Sequence, residues 1–95
     1  MEKPVDLLAR YVDALSLAAA TTNRAEERPL YQARLAAAAQ MFAAIHSGNR
    51  AALFDLVNLA GAGWTVPGTK EERAKNAPLM AFESLARVVR SRSAT

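Results

Sequence analysis

The feature that most constrains this chain is an alanine-rich stretch from Leu30 to Ile45. Its large apolar residues recur at intervals of three or four, which places them on one face of an α-helix. Alanine, the strongest helix former, supplies most of the positions between them. The residues of this apolar stripe are Tyr31, Leu35, Ala38, Met41, Phe42 and Ile45. The stretch predicts a long helix against which the rest of the chain must build its core.

Similar apolar spacing elsewhere predicts an all-α fold, a small four-helix bundle that forms one domain over residues 1–95. Helices are expected at about 4–20, 25–46, 50–60 and 78–90, with a short helical turn at 70–75 and a frayed tail at 91–95. An irregular Gly/Pro loop, Gly61–Gly68, is predicted to join the third and fourth helices. Pro29 and Pro78 leave the starts of two helices uncertain by several residues.

Local residues also predict how the helices begin and end. Gly48 can adopt the left-handed conformation that closes a helix, and Asn49 can cap the helix that follows. Asn23 followed by Glu26 resembles a capping box. Pro29 conflicts with a helix that starts just after Asn23. In such a helix the proline would lie beyond the first turn, where it removes a backbone hydrogen bond. Either a single turn precedes a bend, or the regular helix begins near Pro29.

The composition favours a protein that associates with itself. The hydrophobic fraction is 52%, but much of it is alanine, which contributes little apolar area to a core. A thin core with alanine-rich helix faces is often completed by a second copy of the chain, so we expect a homodimer or another homo-oligomer. The excess of 12 Lys and Arg over 9 Asp and Glu gives a net charge of only +3, which is weak support for a nucleic-acid partner.

The sequence carries no signal for an oxidising compartment or for a membrane. The absence of cysteine excludes disulfides and thiolate metal sites. The N-terminal residues lack the basic start and long apolar run of a signal peptide, and no stretch reaches the roughly 20 apolar residues of a membrane span. We expect a cytoplasmic protein with no membrane association. The arginine- and alanine-rich composition favours a bacterial or phage origin.

No combination of residues predicts catalysis. His46 is the single histidine and has no second ligand at metal-binding spacing. Asp55 belongs on the solvent side of its helix, and the doublets of glutamate at 26–27 and 71–72 open helices, where carboxylates suit the helix dipole. Gly61 and Gly63 follow a helix, whereas phosphate-binding glycine loops follow a strand. We therefore expect no enzyme activity, no metal and no cofactor.

The remaining candidates are residues for binding a partner, namely Trp64, Val66, Arg87 and Arg90. Trp64 either folds back to plug one end of the bundle or stands exposed as an aromatic anchor. Arg87 and Arg90 share one helix face and can contact an anion. The leading hypothesis is a non-catalytic protein–protein interaction module, an adaptor, regulator or inhibitor. The alternative is a nucleic-acid-binding protein that uses the basic C-terminal third.

Overall fold

The computed structural model describes residues 3–62 and 76–93. These residues form four α-helices and no strand: α1 Pro4–Thr21, α2 Arg28–His46, α3 Arg50–Ala62 and α4 Ala77–Ser93. A short 3₁₀ turn, Ala25–Glu27, precedes α2. The predicted all-α, four-helix fold is thereby confirmed. Residues 63–75, which hold most of the predicted Gly/Pro loop and the predicted turn at 70–75, lie outside the described residues.

The helices form an up-and-down bundle. α1 packs against α2 and α4, and α3 packs against the same two helices. The start of α1, the end of α2, the start of α3 and the end of α4 all line one cavity, through Pro4, Ile45, Arg50 and Arg92 respectively. Helices α1 and α3 therefore run in one direction, and α2 and α4 run in the other. We call the end with this cavity the cavity end and the opposite one the far end.

Each helix buries one apolar stripe in a shared core. The stripe of α2 is centred on Ala38 and Met41, which are fully buried, while Tyr31 and Ile45 are partly buried at its edges. Three of the buried residues are alanines: Ala38, Ala44 and Ala86. The buried core residues are Leu7, Leu8, Tyr11, Leu15, Ala38, Met41, Ala44, Leu53, Val57, Leu79, Phe82, Leu85, Ala86 and Val89. The buried residues of α1, which are Leu7, Leu8, Tyr11 and Leu15, face α2 and α4.

Tyr11 is the largest fully buried side chain. Its ring packs at an angle against Phe82, with 5.4 Å between the ring centroids, and so joins α1 to α4. Burial raises the pKa of the Tyr11 phenol well above its ordinary range, and the positive charge of Arg34 offsets part of that effect. Among the described residues, every buried side-chain nitrogen or oxygen has a hydrogen-bond partner.

The entry to α2 resolves the conflict at Pro29. The regular helix begins at Arg28, so the proline sits in the first turn, where its missing N–H has no intrahelical role. The capping box expected from Asn23 does not form. Neither the 3₁₀ turn nor α2 has a side-chain cap. The connection is held by Thr22 instead: its hydroxyl donates to Glu27 Oε2 over 2.8 Å and accepts from the Arg24 N–H over 3.2 Å.

The connection between α2 and α3 is only three residues long and is closed at both sides, as predicted. Gly48 has a φ of 70°, and its N–H donates to Ile45 O while the Asn49 N–H donates to Ala44 O. This pair of bonds is a Schellman motif, which satisfies the last carbonyls of α2. The Asn49 side chain then caps α3 by accepting the Ala52 N–H over 3.0 Å.

Three helices extend slightly further than expected. α1 ends at Thr21, α3 ends at Ala62, and α4 continues to Ser93, past the predicted boundary at 90. Helix α4 begins at Ala77 because Asn76 accepts the Leu79 N–H over 3.1 Å and so acts as its cap. At its other end, Arg90 and Arg92 lie in the last turn, where positive charge favours the helix dipole.

Candidate functional site

The first candidate site lies along the exposed side of α4. Arg87 and Arg90 are both exposed and lie one turn apart, as their spacing predicts. Between them and the bundle is a shallow concave surface with a floor of Phe82 and Ala86, which are both buried. We call this surface the arginine face, and its residues are Phe82, Glu83, Ala86, Arg87, Arg90 and Ser91.

Helix α3 holds one arginine of this face in place. The Arg90 Nε–H donates to Asn58 Oδ1 over 3.0 Å, across the groove between α3 and α4. Gly61 of α3 faces the same groove, because a Cβ atom there would lie 3.6 Å from Arg90 Nη2 and 3.4 Å from Phe82 Cε2. This bond restrains the guanidinium through one of its five N–H donors and leaves the others for a partner.

The structure thus brings together two of the four predicted binding residues. Trp64 and Val66 lie outside the described residues, so their predicted role stays a prediction. The sequence reading missed Asn58, whose partner Arg90 is 32 residues away. The sequence did contain a weak indication of this contact. Asn58 is a polar residue beside the apolar stripe of α3, where a side chain can reach a neighbouring helix.

The second candidate site is the cavity at the end of the bundle, which has a volume of about 360 Å³. Its floor is apolar and buried, formed by Ala44, Leu53 and Val89, while its rim is exposed. We call it the terminal cavity, and its lining is Lys3, Pro4, Val5, Ala44, Ile45, Gly48, Asn49, Arg50, Leu53, Val89 and Arg92. The rim therefore carries three cationic side chains, and the described lining includes no Asp or Glu.

The residues that were weighed for catalysis stay apart. His46 is exposed in the last turn of α2, and Asp55 is exposed on the solvent side of α3, where it was expected. In residues 3–62 and 76–93 no three side chains of His, Asp or Glu come close enough to hold a metal ion. Within the same ranges, no helix has both the length and the apolar character to cross a membrane.

Comparison of the chain with protein-family models, with curated proteins and with solved structures finds no match. The roles of the arginine face and the terminal cavity therefore rest on their own geometry and chemistry.

Proposed function

We propose that this protein is a non-catalytic protein-binding module whose arginine face docks an acidic segment of another protein. The observation that carries the proposal is the hydrogen bond of 3.0 Å between Arg90 and Asn58, beside the exposed Arg87. A guanidinium that is already oriented loses less conformational entropy when it meets a carboxylate. Arginine is also one of the residue types enriched at the energetic centres of protein interfaces.

The shape and composition of the face favour a protein partner. Its floor, Phe82 and Ala86, is apolar, and its rim carries both arginines. An interface of ordinary kind has an apolar centre and a polar rim, which this arrangement matches on a small scale. The matching segment would place an aliphatic or aromatic side chain over the floor and one or two carboxylates against Arg87 and Arg90.

The small number of basic side chains on the face argues against nucleic acid as the main partner. Glu83 also lies on the concave surface, so an acidic partner segment has to place its carboxylates against Arg87 and Arg90 and away from Glu83. Nucleic-acid binding usually uses a stripe of several basic side chains, whereas the described part of this face offers two. Lys70, Arg73 and Lys75 lie outside the described residues and add nothing to this comparison.

The proposal also includes a cytoplasmic location and a bacterial or phage origin. The absence of cysteine suits a reducing compartment. The abundance of alanine and arginine suits a GC-rich genome. Self-association is part of the same proposal and is supported by four large apolar side chains that stay exposed: Leu17, Leu30, Leu59 and Met80.

A peptide selection tests the proposal directly. The purified chain would be used to select from a displayed library of random peptides, and the recovered peptides would be synthesised and titrated by fluorescence anisotropy. We expect the recovered peptides to combine Asp or Glu with a large apolar residue. Arg87→Glu together with Arg90→Glu should weaken their binding by about tenfold to a hundredfold, since two attractive contacts become repulsive.

Arg28→Glu is the matched control, because Arg28 is an exposed arginine of α2 that does not belong to the arginine face. It changes the net charge in the same direction and should leave peptide binding nearly unchanged. If the charge-reversed double variant binds the selected peptides as well as the wild type, the arginine face is not the docking surface. If only nucleic acid binds, with an affinity that falls steeply with salt and with loss in the double variant, the alternative function replaces the proposed one.

A further inference from the structure

We propose that the terminal cavity is a second binding site, for a small amphiphilic carboxylate such as a medium-chain fatty acid. This inference is independent of the protein-binding function, which concerns the side of α4. The volume of about 360 Å³ falls within the range of pockets that hold small organic ligands. The cavity pairs a buried apolar floor with a charged rim, as a ligand with an apolar tail and an anionic head requires.

The apolar part of the site comes from four different helices. Leu53 and Val89 are 8% and 3% exposed and form the base with Ala44, while Val5 and Ile45 are partly buried along the walls. Because Ala44 is small, the side of the cavity formed by α2 stays recessed. An acyl chain that enters here exchanges water for aliphatic contacts on several sides, which is the main source of affinity for such ligands.

The positions of two cations are the second observation. Lys3 is the residue immediately before α1, and Arg50 is the first residue of α3. Positive charge is unfavourable at a helix N-terminus, where the backbone dipole is itself positive. Both cations nevertheless border the same cavity, and within the described residues neither makes an ion pair. A carboxylate between them would be attracted by both side chains.

The backbone at the rim contributes groups of both signs. The starts of α1 and α3 and the ends of α2 and α4 all meet there, so their opposite helix dipoles largely offset each other. At the end of α2, Ala44 O and Ile45 O accept the N–H groups of Asn49 and Gly48. The N–H of Arg50, at the first position of α3, has no partner within its own helix. The preference for an anion therefore rests on the cationic side chains of the rim and on this donor.

Three ligands of graded chemistry test the site by NMR titration of the full chain. Octanoate carries both tail and charge, 1-octanol carries the tail alone, and acetate carries the charge alone. We expect octanoate to shift the amide signals of Ala44, Leu53 and Val89, at an affinity about fivefold higher than that of octanol. Acetate should not saturate the same signals.

The charge assignment is tested by Lys3→Gln and Arg50→Gln. Each should weaken octanoate binding by about twofold to fivefold, which corresponds to one exposed ion pair, and the double variant should bind octanoate no better than octanol. Octanol binding should not change in either variant. Arg28→Gln is the matched control, since Arg28 also begins a helix but does not line the cavity. Thermal melts confirm that each variant is folded.

Two results would overturn the inference. If octanoate shifts signals elsewhere on the bundle and leaves those of Leu53 and Val89 unmoved, the cavity is not the site. If octanoate and octanol bind equally well and the glutamine variants change neither affinity, the cavity is an apolar pocket without anion selectivity, and the carboxylate assignment is wrong. Loss of peptide binding at the arginine face in Arg87 and Arg90 variants has no bearing on either result.

Discussion

The two ends of the bundle differ in the length of their helix connections and in the exposure of their apolar side chains. At the cavity end, the connection between α2 and α3 takes three residues, its backbone is closed by Gly48 and Asn49, and apolar side chains such as Leu53 are buried beneath a charged rim. At the far end, the connection between α1 and α2 is longer and passes through a 3₁₀ turn. Large apolar side chains are exposed there on all four helices.

This difference follows from how each end is built. The exposed apolar residues are Leu17, Leu30, Leu59 and Met80, and each lies within about a turn of the far end of its helix. Each end of the bundle has to satisfy the free backbone groups of four helix termini. Among the described residues, the short loop of the cavity end closes the end of α2 and the start of α3 through Gly48 and Asn49. At the far end, Asn76 caps the start of α4, while α2 has no side-chain cap and the connection before it is held by a side-chain bond between Thr22 and Glu27. The connection between α2 and α3 should therefore depend more strongly on single residues than the connection between α1 and α2.

The largest expected contrast lies within α3. Leu53 is 8% exposed at the floor of the cavity, whereas Leu59 is 74% exposed towards the far end. Leu53→Ala should lower the free energy of unfolding by about 2–4 kcal/mol, through lost burial and an enlarged cavity. Leu59→Ala should change it by no more than about 0.5 kcal/mol. Urea unfolding followed by circular dichroism measures both, and equal effects would contradict the burial difference between the two ends.

A second contrast uses two glycines of opposite geometry. Gly48 has a φ of 70°, so Gly48→Ala should destabilise the protein by about 1–2 kcal/mol, although nothing crowds its side-chain position. Gly61 lies inside α3, and a Cβ there would make ordinary contacts at 3.4 Å and beyond. Gly61→Ala should therefore stabilise the protein by about 0.5 kcal/mol, since alanine favours helix. Thermal melts of both variants check the opposite signs.

The connections themselves give the third contrast. Asn49→Ala removes the side-chain cap of α3 and should cost about 1 kcal/mol. Thr22→Ala removes a hydroxyl that bonds Glu27 over 2.8 Å, but the site is partly exposed and water can replace the bond, so about 0.5 kcal/mol is expected. A Thr22 variant that costs more than the Asn49 variant would mean that the connection before α2 is held as tightly as the connection after it.

These contrasts also show what a sequence can disclose about such a bundle. The closure by Gly48 and Asn49 was predictable because every partner lies within a few residues, so the local conformations allowed to glycine and asparagine decide the outcome. For the start of α2, the sequence left two alternatives open. Pro29 disfavours a regular helix that begins more than a turn before it, but the choice of Thr22 over Asn23 as the polar partner depends on the path of the whole connection.

The candidate sites were less accessible for the same reason. The exposure and shared face of Arg87 and Arg90 follow from helical spacing on one segment. The bond from Arg90 to Asn58 joins residues 32 apart in sequence, and it exists only because α3 and α4 pack side by side. The terminal cavity is even harder to predict from the sequence, because its lining comes from four helix ends that meet only after the bundle has formed.

The variants with the smallest expected effect on stability test whether the exposed apolar side chains of the far end mediate self-association. Leu30→Ser together with Leu59→Ser replaces side chains that are 55% and 74% exposed, so the free energy of unfolding should change by no more than about 0.5 kcal/mol per site. If the chain self-associates through these apolar groups, light scattering behind gel filtration should give a dimer for the wild type and a monomer for the double variant. A wild-type monomer would contradict the expected homo-oligomer. A dimer that persists in the variant would mean that the interface lies away from Leu30 and Leu59, and association would then not explain why these two side chains are exposed.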